Sequence, residues 1–123
     1  MGCDIHAHAE RTFDERWDAD LIFHSGGELD IERWYELFGY LAGVRGENDP
    51  IVLPKGFPVR VSEETKESYD DWDSDAHTPT WITFKEMKKL PKKFKGEPFY
   101  KYMEALAKLH GESNIRMVFW FDN

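Results

Sequence analysis

The chain holds a single cysteine, so no internal disulfide can form, which excludes a small disulfide-stapled secreted scaffold. No apolar run approaches the roughly 20 residues of a membrane-spanning helix, and no basic-then-apolar leader opens the sequence. The start, "MGCDIH", has Met-Gly but lacks the Ser or Thr at position six of a myristoylation signal. A protein of the reducing cytoplasm, without membrane association, is expected. Positive charge is also scarce: 16 Lys and Arg stand against 24 Asp and Glu, a net charge of −8. That balance disfavours nonspecific nucleic-acid binding through phosphates. It leaves room for metal-bridged phosphates, or for an acidic face that mimics nucleic acid. Repeats and long linkers are absent too, so the 123 residues are expected to form one domain, 1–123.

Aromatic residues are abundant. They make up 15% of the chain, with five tryptophans, which excludes a disordered tail and implies buried aromatic area or an aromatic-lined surface. From Cys3 to Thr12 the sequence alternates with period two, as a strand does. Cys3, Ile5, Ala7 and Ala9 share one face, and Asp4, His6, His8 and Glu10 the other. "RWDADLIFH" reads as the second strand of a hairpin, ended by "SGG". "DIERWYELFGYLAGVRG" reads as a helix with Trp34, Leu37, Phe38 and Leu41 in its stripe, Asp30 as cap, and Gly43 or Gly46 at its end. Three prolines in "NDPIVLPKGFPV" predict an extended connection, and "SEETKES" one or two helical turns capped by Ser62. The acidic "YDDWDSDAHTP" reads as a loop. Thr83 and Glu86 have capping-box spacing for a short helix stopped by Pro91. "EPFYKYMEALAKLHG" is a second main helix, with Pro98 in its first turn and Gly111 at its end. "NIRMVFWFDN" is a last strand. The fold class expected is α+β: a small antiparallel sheet, from the N-terminal hairpin and the C-terminal strand, packed by two main helices, with a long irregular central loop. If the last strand lies antiparallel beside the first, Asp122 and Trp120 fall near Asp4 and His6.

Side chains at i and i+2 on a strand share a face, so His6 and His8 could grip one ion with Asp4 or Glu10 completing its shell. Zinc, manganese and nickel accept mixed imidazole and carboxylate ligands. The opposing reading is a solvent-facing strand with no task beyond solubility. Cys3, by parity, belongs to the core. The run "DDWDSDAHTPTW" lacks the glycine and closing glutamate of a calcium loop. Its Asp75 and His77 are either solvated or an acid–base or ligand pair reaching toward the first strand. Arg45 either complements a helix end or clamps a carboxylate or phosphate. Trp72 and Trp81 are either core anchors or stacking faces.

Four motifs together resemble a family of small, uncharacterised proteins of bacteriophage and prophage genomes: "GCDIH" at 2–6, "YELFGYLAGVR" at 35–45, "DAHTPTWIT" at 75–83 and "VFWFDN" at 118–123. The resemblance spans the chain. It departs at Thr78 and Thr80, where serines are expected, and at His8, where relatives often carry another residue; this moves the ligand expectation to Asp4, His6 and Glu10. The resemblance implies a bacterial host cytoplasm, one domain, and a polar site built from both chain ends and the central loop. Two functions follow. In the first, the protein is a metal-dependent hydrolase of a phosphoester or nucleotide-like substrate, using zinc, manganese, nickel or magnesium. Asp4, His6, Asp75 and Asp122 are its candidate metal ligands, His77 and Glu10 its candidate proton carriers, and Arg45 its anion clamp. Arg45, Trp72, Trp81 and Trp120 are candidate ligand contacts. In the second, it is a non-catalytic counter-defence protein that binds a nucleotide signal or a host defence protein.

Overall fold

A computed structural model describes residues 2–12 and 22–123. Four strands, β1 (Asp4–Thr12), β2 (Phe23–Leu29), β3 (His77–Thr83) and β4 (Ile115–Asp122), form one antiparallel sheet in the order β2-β1-β4-β3. The helices are α1 (Tyr35–Ala42), α2 (Glu63–Trp72), α3 (Phe84–Met87) and α4 (Pro98–His110). The fold is α+β, with strands from near both ends of the chain side by side at the centre of the sheet.

Alternation in β1 sets the layers. Ile5, Ala7 and Ala9 pair in register with Phe121, Phe119 and Met117, and all six are buried. This face packs against Leu37, Phe38 and Leu41 of α1 and Phe99 and Met103 of α4, joined by Met87 and Phe94. The two main helices thus cover one face, as expected. Trp120 and Val118, on the opposite face of β4, are also fully buried. So are His8 and Glu10, at 5% and 0% exposure, which makes this no wet surface. Its cover is α2 with the segment before it: Phe57 stacks on Tyr69, and both rings meet Trp120 edge-on.

Several boundaries differ from the sequence reading. Part of the expected second strand lies outside the described residues, and "SGG" sits inside β2 rather than ending it. Register slips at Ala9/Glu10, which face Gly27 and Ser25, so Gly26 is the extra residue of a bulge. A Cβ on Gly26 would stand 3.1 Å from that of Ala9, and Gly27 has φ of +104°. The positive φ favours glycine at 27, and a side chain at 26 would crowd Ala9. Helix α1 begins at Tyr35, and Asp30 caps nothing; residues 30–34 instead run beside the start of β1, where Arg33 bonds Asp4. Gly43, left-handed at φ 72°, ends the helix as expected. Ser62 does cap α2 through the Thr65 N–H, but the helix continues through "YDDW" and one 3-10 turn leads straight into β3. That edge strand tolerates Pro79 because it pairs on one side only. Thr83 and Glu86 form the capping box of α3, and Pro98 and Gly111 bound α4 as the sequence indicates.

Candidate active site at the joined ends of β1 and β4

Antiparallel pairing sets Asp4 opposite Asp122 and His6 opposite Trp120. The diagonal contact on that face defines the site: His6 Nε2 and Asp122 Oδ2 are 2.5 Å apart. The imidazole and carboxylate are 20% and 14% exposed, sheltered yet open to a ligand. The Trp72 ring, at the last residue of α2, lies over His6 with centroids 4.1 Å apart, and Trp120 lies 6.2 Å away on the sheet side. A carboxylate acceptor at Nε2 assigns the proton to that nitrogen and leaves Nδ1 as the basic atom.

Two cations border this pair. Arg33 Nε donates to Asp4 Oδ1 at 3.0 Å, and that bond holds the Asp4 carboxyl below its usual range. Arg45 Nη2 lies 3.4 Å from Asn123 Oδ1, and its guanidinium stands 5.6 Å over the Tyr35 ring. Arg45 has φ of 60°, a backbone conformation that a non-glycine residue holds at a cost. The Tyr35 hydroxyl accepts from the Cys3 N–H at 3.0 Å, tying α1 to the same end of β1. Burial pushes the Cys3 thiol up; Arg45 pulls the other way, and Asp122 and Asp4 reinforce burial. Cys3 is therefore a poor nucleophile and belongs to the core, as its parity implies. Beside His6 an open groove of about 580 Å³ is lined by Asp4, Glu28, Asp30, Glu32 and Arg33.

The other expected residues lie elsewhere. Glu10 is fully buried: Oε1 accepts from Arg116 Nη2 and Nε at 2.7 and 2.9 Å, and Oε2 from the Ser62 N–H at 2.7 Å. With both oxygens engaged, it anchors α2 at Ser62 and pairs with Arg116. Burial lowers the Arg116 pKa and Glu10 opposes that shift. Trp81 belongs to this end too, with Lys55 Nζ 3.8 Å over its ring and Arg116 5.3 Å away. His77 pairs with Phe121, on the face opposite to His6, and its Nδ1 meets Thr78 Oγ1 at 3.0 Å. Asp75 stands exposed in the 3-10 turn. His8 is buried in a stack on Trp120 at 5.6 Å, and burial lowers its pKa against the pull of Glu28 and Glu10.

Of the expected residues, the fold therefore gathers Asp4, His6, Asp122, Trp72 and Trp120, with Arg45 beside Asn123. Glu10 and Trp81 belong to the Arg116 end, His77 lies on the other face, and Asp75 stands exposed three residues after Trp72. Sequence reasoning missed Arg33, hidden in what read as a helix, and Arg116. The lone cation in the apolar "NIRMVFWF" was the available signal for Arg116, because its parity matches that of Glu10. Among the described residues no three His, Cys, Asp or Glu side chains converge as a ligand group. His6 and Asp122 bond one another, and Asp4 is taken by Arg33. Compared with known proteins, the chain matches no family model, no curated protein and no solved structure, so the site is read from its own geometry.

Proposed function

We propose that the protein is a small phage-type hydrolase of a phosphoester or nucleotide-like substrate, with His6 and Asp122 as its acid–base pair. The 2.5 Å cross-strand contact between them, roofed by Trp72, carries this reading. Asp122 orients the imidazole and stabilises the imidazolium. His6 Nδ1 takes a proton from water as the water oxygen bonds to phosphorus. The ester P–O bond breaks, and the proton passes to the leaving alcohol. Arg33 and Arg45 border the pair as cations suited to the substrate anion, and Trp72 offers a ring face for a base to stack on.

Turnover of an aryl phosphodiester and of linear and cyclic nucleotides tests this. His6→Ala and Asp122→Ala should each lose about a hundredfold or more, while Asp75→Ala stays near wild type. Wild-type protein that turns over none of these, with or without added divalent ions, would contradict it.

One observation favours the second reading, a counter-defence protein that binds a host effector. Glu28, Asp30 and Glu32 line the groove and repel phosphate, but suit a basic protein surface. In that case Glu28→Lys with Glu32→Lys would abolish binding to the effector, and His6→Ala would leave it intact.

A further inference from the structure

Charge is distributed very unevenly along this acidic chain. Residues 84–111 hold eight lysines (85, 88, 89, 92, 93, 95, 101 and 108) and three glutamates (86, 97 and 104), a local charge of +5. The remaining residues therefore sum to −13, the difference between the −8 total and this +5. Seven of the eight lysines are exposed and Lys95 is half-buried. Four of the eight, Lys88, Lys95, Lys101 and Lys108, line an open groove of about 510 Å³ with Phe84, Tyr100, Ala107, Glu104 and Glu112; Lys85, Lys89, Lys92 and Lys93 lie outside it. Within it Lys88 pairs with Glu112, and Lys95 Nζ donates to the Lys88 carbonyl. Lys93 pairs with Glu36 and Lys101 with Glu104. Lys85, Lys89, Lys92 and Lys108 have no ion pair among the described residues.

Stability does not account for this arrangement. Lys85 lies in α3, Lys88 and Lys89 in the turn that ends it, and Lys92 and Lys93 in the short 3-10 turn beyond, so five like charges fall within nine residues. A chain with 24 carboxylates has ample means to intersperse the two signs, and elsewhere Lys66 and Asp70 do so at i,i+4. Nor does the patch resemble a protein-docking surface. Lysine is depleted from such interfaces, and the basic side chain they favour is arginine, which this segment lacks entirely. Unpaired lysines without arginine or exposed tryptophan suit one ligand chemistry best: regularly spaced phosphates contacted as point charges, with no reading of bases.

We propose that the lysine-rich surface of residues 84–111 binds the phosphate backbone of duplex DNA. The net charge of −8 does not forbid this. At about 0.1 M salt, charges are screened beyond about 10 Å, so a docked duplex feels the face it touches. The acidic remainder turns the rest of the molecule away, so one orientation is favoured. This face is distinct from the His6–Asp122 site, and the proposal does not rest on that site's function.

Fluorescence polarisation of a labelled 20-base-pair duplex tests it. With four phosphates neutralised, affinity should fall about a hundredfold from 50 to 200 mM salt and be independent of sequence. The triple variant Lys85→Glu, Lys89→Glu, Lys92→Glu should lose binding while keeping its circular dichroism spectrum. The matching triple Lys→Arg variant should retain binding. His6→Ala should bind as wild type does. No saturable signal at 50 mM salt, or binding unchanged in the Lys→Glu triple, would overturn the proposal. So would salt-sensitive self-association without a DNA signal, which would make a second copy's acidic groove the occupant.

Discussion

Glu10 and Arg116 form a buried charged pair whose two members depend on one another. Both are almost wholly buried and joined by two hydrogen bonds, and Arg116 also lies 3.4 Å over the Phe23 ring. Removing one partner leaves the other charge buried and uncompensated. Arg116→Met should therefore cost about 3–5 kcal/mol in urea unfolding, and Glu10→Leu added to it should restore part of that loss. A double variant no more stable than Arg116→Met would show that packing of the guanidinium, not charge compensation, is what matters. The sequence placed His6, Asp4 and Asp122 correctly, because alternation and an antiparallel guess suffice to set register across two strands. It misplaced Glu10 for a specific reason. Period two says which side chains share a face, but not whether a distant segment covers that face. Here residues 57–72 cover it, and nothing in "DIHAHAE" encodes them.

Among the elements, α2 is the least self-sufficient. Thr65 is its one fully buried residue, and the helix is held by its cap, by the Glu10 bond to Ser62, and by the rings of Tyr69 and Trp72. This also explains why only its first turns were legible: "YDDW" shows no apolar period, since the helix rests on the sheet through two aromatic side chains rather than a stripe. Likewise the first residues of β3, His77 to Pro79, read as loop because Pro79 and the acidic run before it mask a one-sided edge strand. Ser62→Ala removes the bond from the Thr65 N–H and should cost about 1 kcal/mol. Hydrogen exchange should accelerate across 63–72 while β1 and β4 keep their protection; uniform acceleration would mean that α2 opens only with the whole fold. Helix α1 has a different constraint. A Cβ on Gly39 would come within 2.8 Å of the Gly46 Cα, so helix and following loop touch through two glycines. Gly39→Ala should lower the melting temperature by several degrees, more than helix propensity alone, which favours alanine, would allow. An unchanged or higher melting temperature would show that the loop yields freely.

At the scale of the whole molecule, pH tests the covered face. Burial lowers the His8 pKa from its ordinary 6.5, so the unfolded chain binds more protons than the native one as pH falls past that value. Stability should then decline below about pH 6.5 and level off once both states are protonated. His8→Leu should remove that part of the decline, and an unaltered pH profile in this variant would place the linkage elsewhere. The larger claim is that the beginning of β1 and the end of β4 make one working site, which requires a last residue pair as ordered as the core beside it. Nitrogen-detected NMR of the His6 imidazole measures this without knowledge of any substrate. His6 should show the Nε2–H tautomer, with a strongly deshielded, slowly exchanging proton that disappears in Asp122→Ala and persists in Asp75→Ala. A His6 ring with mixed tautomers and no such proton, unchanged when Asp122 is removed, would contradict that claim.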